Sequence, residues 1–155
     1  MVAAATSWEW LDPAVKYRKA AAALRPGGCA AVFWNAQIET PQEGSFFVRV
    51  EDCYRRHGPH MVVPWRTAAD LPNAAERGFL DTGLMDDVAA LHYPWTERYS
   101  TGRYLNVLQT FSGHIALPDD VRARLLEDIG RLIDREFGGE VEKHWITVLQ
   151  CARKR

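Results

Sequence analysis

The sequence has little cysteine and almost no charge imbalance. Its three cysteines, Cys29, Cys53 and Cys151, form an odd set, and no two of them have the C-x-x-C spacing. Disulfide frameworks and zinc sites depend on paired cysteines, so we interpret these residues as thiols in a reducing cytoplasm. The formal net charge is -1, which excludes the basic surplus typical of proteins that bind nucleic acid or an anionic membrane.

Long apolar runs and metal-ligand motifs are also missing. No run approaches the roughly 20 residues of a membrane span, and Met1 to Thr6 lack the basic region and long apolar core of a signal peptide. Cys53, His57 and His60 could form part of a metal site, but no fourth ligand stands at a supporting spacing. We therefore predict a cytoplasmic protein without a metal, with this segment read as a helix end that runs into a loop.

The chain has eleven glycines but no Gly-x-Gly motif. In open α/β sheets a glycine-rich turn after the first strand lets the backbone approach a nucleotide-like cofactor closely. The pair Gly27-Gly28 precedes an apolar run and does not follow one, so we interpret it as a helix stop and turn. The glycine-rich cofactor turn is therefore absent from this sequence.

The remaining composition is that of a globular domain. The chain has 155 residues, of which 47% are hydrophobic and 25% charged, enough for one domain with a core. Asp12-Pro13 is a typical helix start, and Pro26-Gly27-Gly28 ends that helix. The apolar run from Ala30 to Trp34 predicts a parallel strand that is covered on both faces.

Further elements follow from periodicity and breakers. We predict helices over residues 46–54, 74–82 and 100–111, a strand over 88–93 that ends at Pro94, a long helix from Asp119 to Gly138-Gly139, and a last strand over 141–152. In that last strand Trp145, Ile146, Val148 and Leu149 should be buried. The alternation predicts one α/β domain over residues 1–155 with a mainly parallel sheet, in which 36–71 and 94–137 form largely helical cap segments.

Several stretches carry a family resemblance. The run from Ala3 to Asp12, which includes Trp8-Glu9-Trp10, resembles the end of the fourth strand and the following loop of small-molecule class I S-adenosylmethionine-dependent methyltransferases. Leu24 to Gly28 resemble the turn before the fifth strand of that family. Two later stretches also resemble this family. Its passage from a helix into the sixth strand has counterparts in Phe79, Gly83, Leu84 and Val88. Its C-terminal region has a counterpart in residues 110–114.

The resemblance implies the C-terminal half of such a domain, entered at its fourth strand. The last strand would then insert antiparallel between the fifth and the sixth, in a Rossmann-like sheet. The half that usually holds S-adenosylmethionine would lie before Met1. The chain alone is therefore expected to be incomplete and inactive, although the complete domain would transfer a methyl group to a small-molecule acceptor.

The resemblance also implies site residues. Thr6, Ser7 and Trp8 would touch the cofactor, while Trp34, Asn35, Tyr99 and Tyr104 would line the acceptor site. His114 is the candidate base because histidine titrates near neutral pH, and Glu9, which stands where His or Gln is commoner, could orient an acceptor amine or hydroxyl. The alternatives are core packing for Trp8 and Trp10, strand-end packing for Trp34 and Asn35, and a structural role for His114.

A second function stays open from the sequence. Without a first strand beside it, the fourth-strand side of the sheet would expose unpaired backbone groups, which invite another strand. The chain could then be a non-catalytic methyltransferase-like module that forms a homodimer or pairs with a separate N-terminal half.

Overall fold

The computed structural model describes residues 1–38, 44–62, 64, 67–72 and 77–155. Within them lie four strands: β1 (Val2–Ala5), β2 (Cys29–Ile38), β3 (Met85–Ser100) and β4 (Glu140–Lys154). The α-helices are α1 (Lys16–Ala23), α2 (Phe46–His57), α3 (Arg77–Asp81), α4 (Thr101–Leu108), α5 (Ser112–Ile115) and α6 (Asp119–Glu136). Short 3-10 helices cover Trp8–Trp10, Pro59–Met61 and Ala68–Asp70. No helix in these ranges is long and apolar enough to cross a bilayer.

The four described strands form one sheet in the order β1-β2-β4-β3. β1 and β2 are parallel, with Val2 opposite Ala30. The end of β4 meets the start of β2, where the Lys154 N–H donates to the Gly28 carbonyl at 2.8 Å, and Thr147 meets Asn35 further along. β4 is therefore antiparallel to β2, so the predicted insertion of the last strand between its two neighbours is confirmed.

The chain divides into two compact units. Unit 1 comprises residues 1–37, 68–95 and 145–155, and unit 2 comprises 38–67 and 96–144. β3 and β4 contribute residues to both. The predicted cap segments overlap unit 2, and within them residues 36–38 and 94–100 are strand.

In unit 1 the predicted loop-helix-turn order is present, with a later helix start. The Asp12 carboxylate accepts the Ala14 N–H at 2.8 Å, and the Asp12 carbonyl accepts the Lys16 N–H at 2.9 Å. Asp12 thus caps a first turn, while the regular helix begins only at Lys16. Gly27 has a φ of +73°, a left-handed conformation that suits glycine at a helix end.

One face of the unit 1 sheet packs on the helices. Ala30 and Val32 of β2 form a core with Ala21 of α1 and Phe79 of α3. The intervening residues of β2 point the other way, and Phe33 is exposed, so the prediction of a strand covered on both faces is wrong. In β4, Trp145, Ile146 and Leu149 are half-buried and not buried as predicted, whereas Val148 is buried as predicted.

Unit 2 is built on packing of α2 and α4 against α6. The predicted long helix is present as α6, and its Leu125, Ile129 and Ile133 are fully buried. Aspartates open this helix, where their charge favours the positive end of the helix dipole. Two glycines with positive φ, Gly138 and Gly139, follow its end.

β3 is longer than the sequence predicts. It runs from Met85 to Ser100 and passes through Pro94, so the predicted stop at that proline is wrong. β3 is the last strand in the described sheet order, and an edge strand tolerates a proline because one side of its backbone needs no ladder partner. The predicted helix over 74–82 is present as α3 from Arg77; residues 74–76 lie outside the described residues.

Candidate functional site

The residues predicted to form a site fall into two groups, one in each unit. Unit 1 holds Thr6, Ser7, Trp8, Glu9, Trp34 and Asn35; unit 2 holds Tyr99, Tyr104 and His114. Each group has its own geometry.

Thr6 and Ser7 leave the carboxyl end of β1. The Thr6 N–H donates to the Phe33 carbonyl at 2.8 Å, which extends the pairing with β2 by one residue. The φ of Thr6 is +49°, an uncommon conformation for a β-branched residue. Such outliers cluster at ligand-binding loops, so the turn at Thr6 is the feature of unit 1 that most favours a site at this strand end.

Trp8 belongs to the core of unit 1. Its ring stacks on Phe79 at 5.6 Å and meets the edge of Tyr17 at 5.5 Å, and the Lys16 ammonium lies 5.3 Å from the ring centroid. These contacts match the core-packing interpretation of Trp8. Core packing of Trp10 is wrong, since that side chain is 76% exposed; Glu9 between them is exposed as well.

Asn35 is one end of a polar chain across three strands. The Thr147 hydroxyl donates to Asn35 Oδ1 at 2.7 Å, and Trp95 Nε1 donates to Thr147 Oγ1 at 3.0 Å. Trp34 precedes Asn35 on the same strand, so the two side chains point to opposite faces. The structure therefore does not bring Trp34 and Asn35 to a common surface, and Thr147, which no sequence pattern singles out, becomes the neighbour of Asn35.

His114 is buried in unit 2 with one ring nitrogen engaged. Its Nε2 lies 3.1 Å from the Tyr54 hydroxyl oxygen, while its Nδ1 is buried and has no hydrogen-bond partner among the described residues. Burial, and secondarily the charge of Lys143, lower the pKa of His114 below its ordinary value. The imidazole ring is therefore neutral at neutral pH, and its Nδ1 forms no hydrogen bond with a described residue.

Lys143 of β4 lies within the same region and was missed by the sequence analysis. The side chain is buried, and its ammonium lies 5.4 Å from the Tyr104 ring centroid, 5.7 Å from Phe111 and 5.8 Å from Phe47. A cation over aromatic faces is attracted by their quadrupoles. The available sequence signal was the alternation of β4, which places Lys143 on the same side as the buried Val141.

Tyr104 and Tyr99 are core residues of unit 2. Their rings meet edge to face at 6.0 Å, and Tyr104 also packs on Phe46 at 5.3 Å. The Arg103 guanidinium lies 5.0 Å from the Tyr99 ring. Tyr104 thereby connects the core to Lys143, whereas the burial of Tyr99 matches a packing role.

A separate polar groove of about 310 Å³ lies between α2 and α6. His57 Nε2 is 2.8 Å from Asp128 Oδ2, and Arg56 reaches the same carboxylate at 3.1 Å; the hydrogen bond from His57 is the main reason that the pKa of Asp128 is lowered. Burial raises the pKa of the Cys53 thiol, which keeps it protonated and poorly nucleophilic. Among the described residues no three His, Cys, Asp or Glu side chains are placed to share a metal ion.

Comparisons with known proteins identify a fold and no sequence family. No family model matches the chain, and no curated protein matches it. A solved structure from Anaeromyxobacter dehalogenans, named "Putative Type II Methyltransferase", matches 97% of this chain with a TM-score of 0.57 at 19% identity. The chain spans 63% of the length of that protein. At this identity the likeness shows that the two proteins share a mixed α/β fold.

Proposed function

We propose that this chain is part of a methyltransferase domain that transfers a methyl group from S-adenosylmethionine to a small-molecule acceptor. The observation that carries the proposal is the fold likeness over 97% of the chain, supported by the β1-β2-β4-β3 order with an inserted antiparallel strand. More than a third of the matched protein lies outside the match. We therefore propose that this chain corresponds to the C-terminal half and does not act alone.

The described residues do not form a complete cofactor site. Thr6 and Ser7 offer polar groups at the end of β1, but the Trp8 ring is committed to its stack on Phe79. No Gly-x-Gly turn is available to bring backbone close to a ligand. On this basis the chain contributes one edge of a cofactor site.

The chemistry that this chain's own side chains could supply lies at His114. A neutral imidazole whose Nε2–H donates to the Tyr54 oxygen keeps a lone pair on Nδ1, which has no described partner. Nδ1 would take the proton of an acceptor hydroxyl or amine only if that acceptor reaches the buried interior of unit 2, where Tyr54 fixes the ring orientation. The lowered pKa of His114 keeps this nitrogen unprotonated at neutral pH, as a general base requires.

A non-catalytic module that pairs through β1 is the second candidate. Its support is the sheet order, in which β1 has β2 on one side and no described strand on the other. An unpaired edge of this kind can accept a strand from another chain. Binding of S-adenosylmethionine, measured as described next, separates the two candidates.

The experiment is a calorimetric titration with S-adenosylmethionine of two proteins. The first is this chain, for which we expect no stoichiometric binding. The second is a chimera that joins the unmatched part of the Anaeromyxobacter protein to this chain, for which we expect binding. In the folded chimera Ser7→Ala should weaken binding by about two- to tenfold, the loss of one hydrogen bond, while Ser112→Ala, outside the predicted loop, should not.

Each result has a separate meaning. Stoichiometric binding of S-adenosylmethionine by the chain alone would contradict the proposal that the chain holds only part of the cofactor site. A chimera that is folded by circular dichroism and does not bind would contradict the methyltransferase function and favour the pairing module. A chimera that binds equally well with and without Ser7 would remove the loop after β1 from the site.

A further inference from the structure

Two of the three cysteines come together on the sheet of unit 1. Cys29 is the first residue of β2, and Cys151 lies near the end of β4. β2 and β4 are neighbours in the sheet, so two residues that are far apart in the chain become close in space. The pair has no sequence spacing of its own, because the strand order alone creates it.

The register of β2 against β4 determines how the two side chains meet. The Lys154 N–H donates to the Gly28 carbonyl at 2.8 Å. Continuing this antiparallel register places Cys151 opposite Ala31, and so diagonally across from Cys29. Diagonal neighbours on one face of a sheet have Cα atoms about 7–8 Å apart, and their Cβ atoms are closer.

Both cysteines point to the face of the sheet that no described helix covers. α1 and α3 pack on the opposite face, which carries Ala30 of β2 and Ala152 of β4. Cys29 and Cys151 each precede one of these alanines, and successive side chains of a strand alternate between faces. Both cysteines are only half-buried, so a small reagent in solution can reach them.

The electrostatics of the pair agree with this placement. Burial, and after it the neighbouring Cys29 thiol, raise the pKa of Cys151. Cys29 acts there both through its charge when ionised and as a hydrogen-bond partner, which requires the two sulfur atoms to be close. Cys53, by contrast, is 2% exposed in unit 2, and no cysteine is among the described groups that shift its pKa.

A disulfide between Cys29 and Cys151 requires only a small closure. Bridged cysteines have Cα atoms about 4.4–6.8 Å apart, which is roughly 1 Å less than the usual diagonal spacing. The register of β1 with β2 starts at Ala30, so the described pairing of β1 leaves Cys29 out. A movement of this size is available at the end of a strand, where local opening costs little.

We propose that Cys29 and Cys151 are a redox modification site, which a low-molecular-weight disulfide such as oxidised glutathione converts to an intramolecular disulfide. The thiolate of one cysteine attacks the glutathione disulfide, and one glutathione leaves as its thiolate. The thiolate of the other cysteine attacks the sulfur of the first, and the second glutathione leaves. The two protein thiols thereby lose two electrons and two protons, and one oxidised glutathione becomes two reduced glutathiones.

The cross-link joins the start of β2 to the end of β4 around the whole of unit 2, whose residues all lie between the two cysteines in the chain. A disulfide that closes a long loop restricts the unfolded chain. The oxidised protein should therefore unfold at a higher urea concentration than the reduced protein. The site uses neither His114 nor the loop after β1, so it is independent of the proposed methyl transfer.

Alkylation of the full chain after incubation with glutathione tests the proposal. The chain is equilibrated at graded ratios of oxidised to reduced glutathione, unfolded in acid and alkylated with a maleimide. By intact mass, the reduced chain should carry an alkyl group on each of its three cysteines. The oxidised chain should carry one, on Cys53, without a glutathione adduct, and peptide mapping should place the bridge between Cys29 and Cys151.

Cys53→Ala is the matched control, because it removes a cysteine that lies outside the pair. This variant should form the bridge at the same glutathione ratio as the unchanged chain. Cys29→Ala and Cys151→Ala should form no bridge and should end as a glutathione adduct of the remaining cysteine of the pair. Circular dichroism of the reduced proteins identifies the variants that fold, and oxidation should raise the urea midpoint of the unchanged chain but not that of either pair variant.

Several results would overturn the proposal. One is a folded chain that keeps three alkylated cysteines at every glutathione ratio, or that carries only glutathione adducts. Others are a bridge to Cys53, a disulfide between two chains, or loss of the bridge in folded Cys53→Ala. The same exchange in urea should yield all pairings of the three cysteines, and an exclusive bridge between Cys29 and Cys151 there would show that the sheet does not select it.

Discussion

The aromatic stack of unit 1 makes a quantitative prediction at Phe79. This side chain is fully buried, stacks on Trp8 at 5.6 Å and meets Tyr17 edge to face at 5.1 Å. Removing a buried phenylalanine side chain costs its transfer free energy, about 1.5–3 kcal/mol, and each lost aromatic pair adds about 0.5–1.5 kcal/mol. With the cavity left behind, Phe79→Ala should lower the free energy of unfolding by about 3–5 kcal/mol.

Urea unfolding followed by far-UV circular dichroism measures this loss. Leu80→Ala is the neighbouring control on the same helix, and its half-exposed side chain predicts a change within about 0.5 kcal/mol. Since Trp8 is the stacking partner, Trp8→Ala and Phe79→Ala should not be additive, with a coupling of about 0.5–1.5 kcal/mol. A cost below about 1 kcal/mol for Phe79→Ala, or additive effects of the two changes, would refute the stack as the centre of this core.

Two further predictions concern a buried histidine and a tight glycine. Because the pKa of His114 is lowered in the folded protein, the unfolded chain binds more protons near the ordinary value of 6.5; stability should therefore be full above that pH and fall as acid is added through it. His114→Gln should flatten this part of a plot of melting temperature against pH, and an unchanged slope would contradict the prediction. Gly78→Ala would place a methyl group against the Tyr17 ring and should cost about 1–3 kcal/mol in urea unfolding. Gly102→Ala, which meets nothing within 4 Å, should be neutral or stabilising by up to about 1 kcal/mol, and equal effects of the two changes would contradict the packing.

Elements with strong local signals were predictable from the sequence. The helix α6 begins at its two aspartates and ends before Gly138, because charge at a helix end and a left-handed glycine act within a few residues. The turn at Gly27 before β2 follows the same rule. Pro94 misled the prediction, since a proline stops a central strand but not an edge strand, and the position of a strand in a sheet is not a local property.

The candidate site was predictable only in part. His114 could be named from its chemistry, but its Tyr54 partner is 60 residues away in the chain and its unpaired Nδ1 depends on the packing around it. Lys143 gave little signal, because a lysine in an amphipathic strand is usually exposed. Trp8 could be named as a site residue or as core, and its stack on Phe79 matches core packing.

The sequence by itself determined the order of helices and strands and the ends of α6 and of the helix before Gly27, because these depend on short-range patterns of apolar residues, glycine, proline and charge. Tertiary structure alone decided which face of each strand is covered, that Asn35 meets Thr147 and Trp95, and that Lys143 lies among aromatic rings. Those pairings join residues far apart in the chain, and their energies arise only when the sheet and helices have brought the side chains together.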